Sequence, residues 1–106
     1  MKFTNLTPHT IVLQDADGNR VAIEPSGKTA RVATIETVIG EIGGMPVVSR
    51  QFGEVIGLDD VEMPVIVSAM VASAVPGREG VYAPDSGPTA IRENGQVVAV
   101  TRLVAA

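Results

Sequence analysis

The chain has 106 residues, 45% of them hydrophobic and 19% charged, which suits one folded domain over residues 1–106 and excludes a disordered segment. A formal net charge of −4, with eight basic residues scattered along the chain, excludes a broad nucleic-acid-binding face. Cysteine is absent, which excludes disulfides, thiolate metal sites and a cysteine nucleophile.

The N-terminal stretch MKFTNLTPH lacks the apolar run of a signal peptide. In the segment that follows, NLTPHTIVLQ, Pro8 biases Thr7 toward extended backbone. Thr7, His9 and Thr10 therefore present polar groups at a stiff strand entrance. His9 is the only histidine, so a histidine-rich metal site is excluded. Two readings remain for Thr7 and His9: they bind a ligand, or they tie down the local backbone.

Residues TIVLQ-DADGN-RVAIE read as a first hairpin, turned at Asp17-Gly18, with Asp15 facing Arg20 across its mouth. Ser26-Gly27-Lys28-Thr29 matches the end of a phosphate-binding loop, but Ala22 stands where the loop needs its first glycine. The strand-like RVATIETVI follows where a helix is required. This is a turn between strands, whose Ser26-Gly27 backbone N–H groups could hold one phosphate.

ARVATIETVIGEI and MPVVSRQFGEVI form a second, long hairpin joined by Gly43-Gly44. A two-residue turn predicts Ile42 opposite Met45, Ile39 opposite Val48, Thr37 opposite Arg50 and Ile35 opposite Phe52. Neither face of that ladder is cleanly apolar. A subunit contact, a ligand groove or solvated outer halves would each account for this.

The acidic loop GLDDVEMP leads to Pro64–Val67, which reads as a buried strand. Ser68 then caps a short helix, AMVASAV, ended by Pro76-Gly77. The helix carries no charge, which predicts burial nearly all round. Residues 63–77 are uncharged, but prolines interrupt them and they fall short of the ~20 residues that cross a membrane. A Gly/Pro-rich loop follows, with a short strand at Val81-Tyr82-Ala83. A third hairpin, TAIRE-NG-QVVAVTRLV, turns at Asn94-Gly95, with Ile91 expected opposite Val98 and Arg92 opposite Val97. The expected architecture is mostly β (α+β): a small, partly closed sheet or barrel of hairpins with one short buried helix.

No nucleophile elbow or carboxylate pair accompanies His9, and IVSAM around Ser68 lacks the G-x-S-x-G pattern, so no catalytic residue, metal site or cofactor is assigned. Arg31, Arg50 and Arg78 are candidates for gripping phosphate, and Tyr82 or Phe52 for stacking on a base. Arg78 and Tyr82 lie in the Gly/Pro-rich loop, where binding residues concentrate.

The stretches NLTPHTIVL, IEPSGKTARVAT, FGEVIGL, VIVSAMVASAVPGRE and VYAPDSGP together resemble a group of short proteins encoded by tailed phages and prophages. The resemblance spans nearly the whole chain and brings no catalytic motif. In size and style the chain is similar to phage sponges, which sequester nucleotide-derived immune signals such as cyclic ADP-ribose isomers. It implies a homo-oligomer in the cytoplasm of an infected bacterium, binding a nucleotide-derived small molecule without cleaving it, with no nucleic-acid or membrane partner. Thr7, His9, Ser26, Gly27, Arg31, Arg50, Arg78 and Tyr82 would supply the ligand contacts. The competing readings are a small structural or host-interaction protein and an enzyme that degrades a nucleotide signal.

Overall fold

The structure is a computed structural model and describes residues 2–106. In chain order the elements are β1 (Thr4–Asn5), β2 (Ile11–Gln14), β3 (Arg20–Ile23), β4 (Arg31–Ile42), β5 (Met45–Ile56), β6 (Val65–Ile66), α1 (Ala69–Ala74), β7 (Val81–Pro84), β8 (Ile91–Glu93), β9 (Gln96–Ala99) and β10 (Leu103–Ala105). Half of the chain is strand and 6% is helix, the mostly β composition that the pattern predicts. The strands form four separate sheets and none closes into a barrel, which corrects the barrel expectation.

The centre is a mixed sheet in the order β1-β6-β7-β10. β1, β6 and β7 are mutually parallel and β10 is antiparallel to β7. A parallel strand covered on both faces should be apolar at every position. Val65, Ile66 and Val67 meet that requirement, each 0% exposed. Val65 and Val67 face a core that also holds Leu6, Leu58, Val71, Val81 and Ala83. Ile66 pairs with Tyr82 on the opposite face.

Ser68 Oγ accepts a hydrogen bond from Val71 N (3.3 Å) and starts α1, as its position before the apolar run predicts. The helix is buried on one side only, through Val71 and Ala72. Ala69, Met70, Ser73 and Ala74 are exposed, which corrects the expectation of all-round burial. The helix covers β7 and the base of the β4–β5 pair.

The hairpins form where the turn signals place them, with shifted details. In β2–β3, Gln14 pairs with Arg20, and Arg20 Nε donates to Gln14 Oε1 (2.8 Å). Asp15 does not reach Arg20, because its carboxylate accepts from Asp17 N and Asn19 N (both 2.9 Å) inside the turn. In β4–β5 the turn keeps Ile42 opposite Met45, with Gly43 and Gly44 at φ 57° and 83°. A bulge then sets both Val38 and Ile39 against Val48, so Glu36, not Thr37, faces Arg50, and Gln51, not Phe52, faces Ile35. In β8–β9, Arg92 faces Val97 as expected, but a bulge puts Ile91 opposite Ala99 in place of Val98. The predicted long last strand is split, because buried Val100 hydrogen-bonds to Val12 and Gln14 of β2 (2.9 Å each) before the chain leaves for β10.

The β4–β5 pair leaves the body as an arm. Val32 and Val55 at its base pack on the core, while Thr34 and Phe52, the next pair outward, are exposed. The arm helps stretch the molecule to 54 × 37 × 24 Å.

Candidate functional site

The polar entrance around Pro8 is organised by Asn5, a residue the sequence reading passed over. Asn5 Nδ2 donates to His9 O (2.7 Å) and Ile23 O (2.9 Å), and its Oδ1 accepts from Thr7 N (2.9 Å). Thr7 Oγ1 lies 2.7 Å from Asn5 Oδ1 and 3.1 Å from His9 O. Asn5 and Thr7 are buried and their polar atoms are spent within this knot. His9 takes part through its backbone, and the residue itself is exposed. The local-backbone reading of Thr7 is thus the one the geometry carries.

The Ser26-Gly27 turn is also internally bonded. Ser26 N donates to Asn5 O (3.0 Å), and Ser26 Oγ exchanges 3.3 Å hydrogen bonds with Lys28 N and O. Two of the N–H groups a phosphate would use are therefore occupied. The next element is the strand β4, as predicted, so no helix N-terminus faces the turn. Arg50 donates through Nε (3.0 Å) and Nη2 (2.7 Å) to Glu36 Oε1 midway along the arm. Arg31 is exposed at the start of the same strand. Arg92 and Arg102 clamp the 85–87 loop: Arg92 donates to the carbonyls of Ser86 and Gly87, and Arg102 to Asp85 Oδ2 (2.5 Å). The Arg102 hydrogen bond, with Gly87 N–H as a second donor, holds the Asp85 carboxyl below its ordinary pKa.

Arg78 and Tyr82 are brought together. They line one open groove of about 460 Å³ with Glu79, Gly80 and Ala105. Arg78 Nη2 lies 3.5 Å from Leu58 O and 3.8 Å from Asp59 Oδ1, long contacts that hold the guanidinium only loosely. Tyr82 also lines an adjoining groove of about 470 Å³ with Phe3, Met63, Pro64 and Leu103. Phe3 meets Tyr82 edge-on, with ring centroids 6.3 Å apart. Compared with protein-family models, curated proteins and solved structures, the chain matches none.

The double groove thus joins a cation, a phenol, a carboxylate and an apolar wall. Of the eight candidate residues it gathers Arg78 and Tyr82. Thr7, His9, Ser26, Gly27, Arg31 and Arg50 line neither half. The sequence reading missed Phe3, Met63 and Leu103. Only Phe3 carried a signal, as one of three aromatic residues in the chain. Among the described residues no three His, Asp or Glu are grouped to hold an ion. No helix among them is long and apolar enough to cross a membrane.

Proposed function

We propose that the protein binds a nucleotide-derived small molecule and sequesters it intact. The observation that supports this reading is the convergence of Arg78 and Tyr82 on adjoining grooves with an apolar wall. A guanidinium is suited to a diphosphate, an aromatic-lined wall to adenine, and the Glu79 carboxylate to a ribose hydroxyl. The phage resemblance, rather than the groove, directs attention to cyclic ADP-ribose-type immune signals. A second reading, a small structural or host-interaction protein, draws on the exposed apolar arm.

Calorimetric titration with ADP-ribose and cyclic ADP-ribose isomers tests the first reading. Binding should weaken about tenfold or more in Arg78→Ala and in Tyr82→Ala, the range for losing a charge-assisted bond or a stacking partner. His9→Ala and Arg50→Ala should bind as the natural chain does. Chromatography of the ligand released by heating should return it unchanged. If none of these compounds binds, the sequestration reading is lost and the interaction reading stands. If the released compound is cleaved, the protein is an enzyme.

A further inference from the structure

Of the thirteen large hydrophobic residues exposed among the described residues, eight lie on the β4–β5 arm. We propose that one face of this arm packs against the same face of a second copy of the chain. The ladder identifies the face. Val32 opposite Val55, Thr34 opposite Phe52, Glu36 opposite Arg50, and Val38 with Ile39 opposite Val48 all point to one side. Val32 and Val55 are packed on the core, so the apolar stripe starts inside the molecule and runs outward uncovered. Along it Val38 is 67% exposed, Ile39 65%, Val48 44% and Phe52 58%.

Charge selects a second copy as the occupant. The only charges in the middle of the stripe are Glu36 and Arg50, one of each sign on adjacent strands and 2.7 Å apart. A two-fold axis running along the arm sets β4 over the partner's β5. Each Arg50 then faces the partner's Glu36, and Val38 and Ile39 meet the partner's Val48. No like charges oppose one another and no net charge is carried into the contact. A small aliphatic core without tryptophan gains most from such an association.

Sedimentation equilibrium of the full chain at micromolar concentration tests the proposal. The chain should sediment at twice its 11.0 kDa mass. Glu36→Arg and Arg50→Glu should each be monomeric, because each sets like charges against one another across the axis. Mixing the two variants should restore the dimer, since every facing pair is then Arg with Glu. Phe52→Ser should weaken association at least tenfold with unchanged circular dichroism, while Ile42→Ser, on the opposite face, should leave it unchanged. A monomeric natural chain overturns the proposal and leaves the arm to a different partner. So does a dimer that survives both charge reversals, or two reversals that fail to rescue each other while remaining folded. Ligand binding plays no part in these readouts, so the groove and the arm stand or fall separately.

Discussion

Asn5 shows how much of a small fold one polar side chain can fix. It is 1% exposed, and it links β1, the Thr7–His9 corner and the end of β3. Asn5→Ala would leave Thr7 N–H and Ile23 C=O without their partner in a buried site, a cost of about 3 kcal/mol. Urea titration should show this loss, while His9→Ala, at an exposed residue, should stay within about 0.5 kcal/mol. Equal effects would mean that the corner is held by something other than Asn5. Asp85 gives a pH test at the same scale. Its carboxyl has a lower pKa folded than unfolded, so it contributes stability above the ordinary carboxylate value of 3.8. That contribution fades as the pH falls through the lower folded value. Asp85→Asn should therefore melt below the natural chain near neutrality, with the gap closing in acid below about pH 4. A gap independent of pH would show that the loop depends on the shape of Asp85 and not on its charge.

At the scale of elements, turn chemistry was legible and ladder register was not. Asn94-Gly95 and Gly43-Gly44 turn where the sequence places them, because few residues accept the positive φ those turns need. The bulges at Val38-Ile39 and near Val98 leave no mark in a run of β-branched residues: the first moves the pairs from Val38 down to Thr34 by one, until a second bulge returns Val32 to Val55, and the other moves Ile91 by one. The parallel pairing of β1 and β6 was hidden too, since two-residue strands carry no period to read. One position between elements has a sharp steric requirement. Gly57 sits at φ +104°, and an added Cβ would lie 2.8 Å from Thr29 O and 3.1 Å from Ala30 Cα, both backbone atoms. Gly18, at φ +84°, has nothing within 4 Å. Gly18→Ala should therefore cost about 1 kcal/mol in conformational strain alone. Gly57→Ala should cost at least about 2 kcal/mol more, because backbone must move. Thermal melts of the two variants check this; matching losses would show that the 29–30 segment yields freely.

At the scale of the whole molecule, the candidate site was half legible for a related reason. Arg78 and Tyr82 are close in sequence, so a loop could be expected to hold them together. Phe3, Met63 and Leu103 reach the same grooves only through the order of the central sheet, which no local pattern encodes. That sheet also divides the molecule energetically. Its strands β6 and β7 lie among fully buried side chains, whereas the arm beyond Val32 and Val55 is a two-stranded ladder with solvent on both faces. An isolated two-stranded ladder is marginally stable in water. The arm must therefore open locally at far lower free energy than the sheet unless a second copy covers it. Hydrogen exchange followed by mass spectrometry should find the amides of residues 65–67 and 81–83 slowest in every variant. If a second copy covers the arm as proposed, the ladder-bonded amides of residues 36–50 in the natural chain should also be protected. In monomeric Arg50→Glu they should exchange at least tenfold faster, with no change in the central sheet. Equal protection of the arm in both chains would show that its ladder is stable by itself and that association adds nothing to its order.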